Sequence, residues 1–403
     1  MQRRGPVPSR PIGAISVCCA ILCVSCQPLP DAAQPAPDRE INRFAAGACA
    51  RYSQGLAAAA SRADGFLLDW RRSNAIPGMS AGAVCIDTLV WAKGYGVLSL
   101  DNQQSVTPNA LFRIASVTKV FTAAAILKLA GEGRLNLDAP VNEYIDWFDI
   151  GRTPESGDSE LTVRQLLSHT SGLPRDSALT DFSRNFQPAS ADAIAALPGQ
   201  ALQSAPGERY AYSNLGYAVL GQVISSVSGR TYAEYLETEI LEPLGMISTL
   251  VHPSPQDLTA WGHGPKRLVF GRRLADFWDL RFATPAGGMA SSVSDLSKFM
   301  KMQIAPYQSL DPAPLTREAV LESHAVQFVV EPGIAGVGLS WGIDMSDGQY
   351  VIYHGGDLPD QTAFMIIDIR SGLGIVLLTN AQDVDVEGAA RQLLGEFQAA
   401  LAD

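Results

Sequence analysis

The sequence predicts an α+β fold: one antiparallel sheet built from both ends of the chain, flanked by helices, with a mainly helical domain inserted between its halves. Three observations predict it. Strand-like runs stand early in the chain, "SAGAVCI" and "LVWAKGYGVLSL", on either side of Asp87 and Thr88. Further strand-like runs fill its last part, "VGLSWGIDM", "QYVIYHGG", "TAFMIIDI" and "LGIVLLTN", with the turn pairs Asp347-Gly348 and Ser371-Gly372 between them. The long middle has helical composition interrupted by loops, as in "LTVRQLLSHTSGLP", "SNLGYAVLGQVISSVSG", "TYAEYLETEILEPLG" and "SSVSDLSKFMKMQI". At 403 residues the chain is long for one compact core, so two domains, or one domain with a large insertion, is the matching organisation.

Taken in order, the N-terminus differs from everything after it. Arg3, Arg4 and Arg10 precede any acidic residue, and the apolar stretch "PIGAISVCCAILCVSC" that follows is too short to span a bilayer comfortably. Residues 1–26 therefore read as a secretion signal, and its end resembles a bacterial lipobox. Small Ser25 precedes Cys26, which would be lipidated after cleavage, although Cys23 stands where Leu is usual and Leu22 is displaced by one. Ordinary signal cleavage or an uncleaved anchor is the alternative. Residues 27–45, which open "QPLPDAAQPAPD", form a Pro- and Ala-rich tether. The folded part is expected over 46–403, with the sheet drawn from about 60–135 and 325–403 and the helical insertion from about 136–324.

Within that part, "FLLDWRRSNAIPGM" reads as a helix end running into a Pro-Gly turn, followed by the early strand pair. From Ser116 to Ala130 the composition is helical, and "GEG" stops it. The chain closes on an amphipathic helix, "VEGAARQLLGEFQAAL". No internal repeat is present.

Charge and reactive residues narrow the function. A formal net charge of −11 argues against a basic footprint for nucleic acid or anionic lipid. Of six cysteines, Cys18, Cys19 and Cys23 leave with the signal and Cys26 would carry lipid, which leaves Cys49 and Cys85. Two separate thiols are favoured over the disulfide that an oxidising compartment would permit. The histidines at 169, 252, 263, 324 and 354 show no HExxH pattern and the cysteines no metal spacing, so no metal site is expected.

One short stretch carries nucleophile chemistry. "RIASVTKVFTAA" holds Ser116 and Lys119, the chain's single Ser-x-x-Lys. Residues at i and i+3 share a helix face, so the lysine amine can sit beside the serine hydroxyl. A serine in the first helical turn also has unpaired N–H groups and the positive dipole end nearby, which favour negative charge on an attacked carbonyl. A crowded lysine gives up its proton more easily and can act as a base. Taken alone, the pair could equally be two polar residues on a solvated helix face.

Two more stretches change that balance: Tyr212-Ser213-Asn214 in "RYAYSNLGYA", and His354-Gly355-Gly356 in "YHGGDLP". Ser-x-x-Lys, then Tyr-x-Asn, then a basic residue with glycine on a strand, in that order, resembles the penicillin-recognising serine hydrolases. The similar branch contains class C β-lactamases, D-Ala-D-Ala carboxypeptidases, D-aminopeptidases and β-lactamase-like esterases. The likeness runs from about residue 60 onward and includes "LLSHTSGLP" (166–174), "PGERYAYSNLGY" (206–217), "EPLGM" (242–246) and "GLGIVLLTN" (372–380).

The resemblance implies a β-lactamase/transpeptidase-like fold, no cofactor, and an acyl-enzyme on Ser116. Lys119 would take or share the serine proton. Tyr212 would be a second base, its phenol lowered by the adjacent cation, and Asn214 would bond Lys119 and substrate. The oxyanion hole would be the N–H groups of Ser116 and Asp357, with His354, Gly355 and Gly356 lining the strand. Partners would be a small-molecule or peptide substrate and, through a lipid anchor alone, the membrane of the bacterial cell envelope.

The third motif departs from penicillin-binding relatives, which carry Lys where this chain has His354, mostly neutral at pH 7. Asp357 and Asp360 follow, and acids beside an oxyanion hole repel a carboxylate. An ester or amide hydrolase whose substrate lacks a critical anion, and could bear an amine, fits better than an efficient β-lactamase. A class C-type β-lactamase or carboxypeptidase is the alternative, and an inactive binding or scaffold protein on this fold is the third. "GLSWG", Gly338 to Gly342, imitates the Gly-x-Ser-x-Gly of α/β-hydrolases, but its surroundings read as a hairpin, so Ser340 is expected in a strand. His169 is expected as a polar bridge at a helix end, and Gly287-Gly288 as a tight loop at the site rim.

Overall fold

A computed structural model describes residues 48–151, 160–176, 188–264 and 272–402. The expected signal with Cys26 and the tether lie outside these residues. Among the described residues ten strands are formed: β1 Gly78–Cys85, β2 Thr88–Gly96, β3 Phe112–Arg113, β4 Ala290–Ser291, β5 Phe328–Glu331, β6 Ala335–Val337, β7 Gly342–Asp344, β8 Val351–Leu358, β9 Gln361–Asp368 and β10 Leu373–Thr379. Eight make one sheet in the order β2-β1-β10-β9-β8-β7-β6-β5, with every neighbouring pair antiparallel. The early strands therefore pair directly with the last: Met79 faces Thr379 and Cys85 faces Leu373. The short β3 and β4 pair separately.

The central strands are buried along their whole length, β1, β9 and β10 without exception. A strand covered on both faces reads as a near-continuous apolar run, which is how "TAFMIID" and "LGIVLLT" read. One face is covered by α1 (Ser53–Ser73) and the final helix, Val386–Ala402, with Leu67, Ile375, Leu377 and Phe397 in the core between. α1 presents Leu56, Ala59, Ala63 and Leu67 inward, the spacing of one helix face.

The opposite face carries the larger core, formed with the helices between the two sets of strands. In chain order these are α2 (Thr118–Gly131), α3 (Val163–Leu167), α4 (Ser190–Ala196), α5 (Asn214–Ser228), α6 (Tyr232–Leu236), α7 (Thr284–Gly287), α8 (Val293–Ile304) and α9 (Arg317–His324), and the C-terminal helix is α10. α2 is buried nearly all round, as a helix apolar on every side must be. Lys119 sits in its first turn with no exposed surface, and a charge there requires partners.

One expectation is corrected. Cys49 and Cys85 are not separate thiols: they form a disulfide with Cα atoms 6.2 Å apart, tying the turn Ala48–Tyr52 to the end of β1. Geometry that brings two Cα atoms within bridging range decides such a pairing, and spacing along the chain does not show it. Closing a loop of 36 residues stabilises the fold by ~4 kcal/mol in the chain-entropy account.

Candidate active site

Ser116 stands in the tight 3-10 turn Ala115–Val117 that leads into α2. Ala115, just before it, has φ +48°, a left-handed backbone rarely adopted outside glycine. The distortion coincides with a close approach of β8. A Cβ on Gly356 would fall 2.2 Å from the Ile114 carbonyl oxygen and 3.1 Å from the Ser116 nitrogen. Glycine at 356 is thus what lets the strand lie against the serine turn, with Asp357 next along it.

Lys119 Nζ lies 3.2 Å from Ser116 Oγ, 2.7 Å from Asn214 Oδ1 and 2.6 Å from the Ala286 carbonyl oxygen. Asn214 Nδ2 donates to Asp176 Oδ1 at 2.6 Å, which fixes the amide so that its oxygen, an acceptor, faces the lysine. A neutral amine has two hydrogens and one lone pair. The two oxygens of Asn214 and Ala286 take both hydrogens, so the lone pair is left for the Ser116 hydroxyl. Burial holds the Lys119 ammonium well below its usual range, with Arg175 pushing the same way and Asp176 opposing.

The framework behind this is threonine. Thr118 Oγ1 accepts the Met289 N–H at 3.1 Å, and Thr122 Oγ1 donates to the Pro285 carbonyl at 2.7 Å. α2 and α7 are stitched on both sides of Ala286 by these two bonds. Gly287 accordingly belongs to a helical turn, α7, and Gly288 caps it.

Asn214 opens α5, whose N-cap is Ser213: its Oγ accepts the Gly216 N–H at 3.0 Å. Tyr212 is set by His169 on three counts. The Ala211 N–H donates to the His169 carbonyl at 2.7 Å, the Ser213 N–H donates to His169 Nδ1 at 3.0 Å, and the His169 and Tyr212 rings stack at 4.3 Å. His169 has φ +58° and is buried, which holds its ring neutral, well below the usual imidazole value. It bridges the chain just beyond the end of α3 to the start of α5.

Tyr212 requires a correction. Its phenol is not lowered as expected: desolvation pushes it up, outweighing the hydrogen bond with Ser116 and the nearby Arg175 charge that pull it down. The physical reason is that burial keeps water from its oxygen, although Lys119 Nζ lies 4.8 Å from the centre of the ring.

His354 projects from β8 toward the same cluster and is buried. Its Nδ1–H donates to the Gly355 carbonyl at 2.8 Å, and burial, helped by Lys119, lowers its value to about 3. The ring is neutral. Of the two acids that follow, Asp357 lines the cavity and is exposed, whereas Asp360 is buried and does not line it. The Asp357 carboxyl is raised to about 6, first by desolvation and then by Asp383. Asp360 is also raised to about 6 by burial, against the pull of buried Arg113.

Ser340 is corrected as well. It occupies the connection between β6 and β7 with φ +78°, and its N–H donates to the Leu167 carbonyl at 3.0 Å. A strand, not a helix, follows it, so no nucleophile elbow is formed. Three contributors had no sequence signature of their own: the Ala286 carbonyl, Asp176 behind Asn214, and Arg175, whose guanidinium lies 5.2 Å from the Tyr212 ring centre. The last two directly follow the 166–174 landmark, the one signal that could have located them.

Among the described residues no helix is long and apolar enough to cross a membrane, and no group of His, Cys, Asp and Glu side chains is arranged for a metal ion.

The chain and its fold resemble known proteins. Protein flp of Staphylococcus aureus (strain N315) is 31% identical over 314 residues, 76% of this chain. The chain spans 60% of that relative's length. The octameric penicillin-binding protein homologue from Pyrococcus abyssi superimposes with a TM-score of 0.69 at 28% identity, covering 85% of this chain and 77% of that one. A class C beta-lactamase shares the fold with a TM-score of 0.69 at 20% identity, covering 86% of this chain and 96% of its own. The family model described as Beta-lactamase matches residues 54–398, taking in both sets of strands and every helix between them, and the chain therefore belongs to the Beta-lactamase family.

Proposed function

We propose that the protein is a serine hydrolase that forms an acyl-enzyme on Ser116 and cleaves an ester or amide bond, acting as an esterase or peptidase-like enzyme more than as an efficient β-lactamase. The observation that carries this reading is the saturation of Lys119 by two acceptors, which points its lone pair at Ser116. Ser116 Oγ attacks the acyl carbon while its proton passes to Lys119 Nζ. Charge on the carbonyl oxygen is received by the N–H groups of Ser116 and Asp357. Tyr212, held as a phenol, gives its proton to the leaving alcohol or amine and recovers one from Lys119. Water then reverses the sequence and frees Ser116.

Substrate preference follows from charge. A neutral His354 supplies no fixed cation to a substrate carboxylate, and Asp357 becomes anionic above about pH 6. Across pH 4.5 to 8, kcat/KM for p-nitrophenyl acetate is expected to exceed that for nitrocefin, and to vanish in Ser116→Ala. Nitrocefin carries a carboxylate, so its kcat/KM falls roughly five- to tenfold as Asp357 ionises, a charge repulsion discounted for exposure. Asp357→Asn removes that step and p-nitrophenyl acetate lacks it. A nitrocefin rate far above the ester rate would replace this reading with a β-lactamase, and no serine-dependent turnover at all would favour a scaffold role.

The same proposal places the enzyme outside the cytoplasm, anchored through lipid on Cys26. The Cys49–Cys85 disulfide supports an oxidising compartment. Palmitate labelling of the full chain in a bacterial host is expected, and its loss in Cys26→Ser; labelling that persists in the variant would argue against the anchor.

A further inference from the structure

The cavity that holds Ser116 measures 590 Å³ and extends well past the catalytic cluster. β7 begins at Gly342, paired with Tyr353, so residues 354–357 of β8 have β9 on one side and no strand on the other. Through that opening the cavity continues over β7, β6 and β5, reaching Val330. Register places Gly342 beside Tyr353 and Val337 beside Gly342, so their side chains share one face of the sheet. That floor is low and apolar. Gly342 has no side chain where a Cβ would strike the Tyr353 ring at 2.6 Å, and Val337 and Ala335 continue the floor across β6.

The far end is unusual. Val330, which lines the cavity, and Ile334, next to Ala335 in the β5–β6 hairpin, are β-branched side chains 50% and 44% exposed. Exposed apolar groups grouped at a cleft mark a contact surface. Asp383 and Asp385, with Glu387 paired to Arg391, also line the cavity, which disfavours an anionic occupant. From β8 to β5 is three strand spacings, about 14 Å.

We propose that this groove holds a linear, uncharged apolar arm of the substrate, with the reach of a chain of about twelve carbons, while the scissile carbonyl sits at Ser116. The inference rests on the ester-hydrolase reading above. Arm and carbonyl are joined around the start of β7, where no strand covers residues 354–357 of β8.

Two ester series on the full-length protein test it: p-nitrophenyl esters from acetate to dodecanoate, and alkyl acetates from ethyl to dodecyl. In one of the two, kcat/KM is expected to rise by at least about tenfold between the short and the eight-carbon member, since a fully buried methylene is worth roughly a three- to fourfold gain. Val330→Asp and Ile334→Ser, on an exposed hairpin, are expected to cut the long-to-short ratio roughly tenfold and threefold. Flat profiles in both series, or a ratio unchanged in Val330→Asp, overturn the groove while short-ester turnover leaves the hydrolase reading standing. Absence of turnover for every ester, with no phosphonate labelling of Ser116, overturns both.

Discussion

Replacing Lys119 by Met is expected to lower kcat/KM for p-nitrophenyl acetate by roughly three orders of magnitude, within the range that a positioned base contributes, and to stop phosphonate labelling of Ser116 at neutral pH. Met fills the lysine's buried volume without its amine. The variant leaves the Asn214 and Ala286 oxygens without their donor, a cost of about 1–3 kcal/mol for each acceptor left unsatisfied. Relief from burying an ammonium offsets part of it, so the melting temperature is expected to move much less than the rate. Stopped-flow acylation, read beside a thermal melt, separates the two effects. A Met variant within tenfold of wild type would remove Lys119 from the chemistry and shift the base to Tyr212.

Gly356→Ala is expected to produce the second large loss, about 10²- to 10³-fold in the acylation rate, the size seen when an oxyanion donor is misplaced. Its Cβ meets the Ile114 backbone at 2.2 Å, and backbone cannot swing aside as a side chain can. β8 or the serine turn must shift, and the two oxyanion N–H groups separate. Gly355→Ala is the internal comparison: there the nearest atoms belong to the Phe364 ring at 3.2 Å, which can yield by a few tenths of an ångström. Equal rates for the two alanine variants would show that the strand and the serine turn are not held in register by glycine.

Much of this site was legible in the sequence because it is written in side chains. Ser116, Lys119, Tyr212, Asn214 and His354 are drawn together from α2, the start of α5 and β8, and each is a residue type with chemistry of its own. The strands were legible for a related reason: a core strand buried on both faces is spelled as an apolar run. What escaped is carried by backbone or by burial. The Ala286 carbonyl that holds Lys119 has no side-chain signature, and neither has the left-handed turn at Ala115. The direction of the Tyr212 shift depends on how much water reaches its oxygen, which residue type does not reveal. Ser340 fell outside a strand because Gly338 N–H bonds back to the Trp341 carbonyl at 2.8 Å, tightening four residues that alternation alone would have extended. Asp360 looked like a second cleft acid by its distance along the chain from Asp357, yet the turn between β8 and β9 carries it inward, toward Arg113.

The pairing of β1 with β10 joins residues 300 positions apart, as Met79 does with Thr379. Contacts of such long range form late, because the entropy of closing the intervening chain is lost before they can contribute. A ribosome must therefore have released nearly the whole polypeptide before the sheet can close, and Ser116, made early in synthesis, has to wait for Gly356 before it has anything to work against. The nascent chain thus remains loose and catalytically silent for almost all of its time in production.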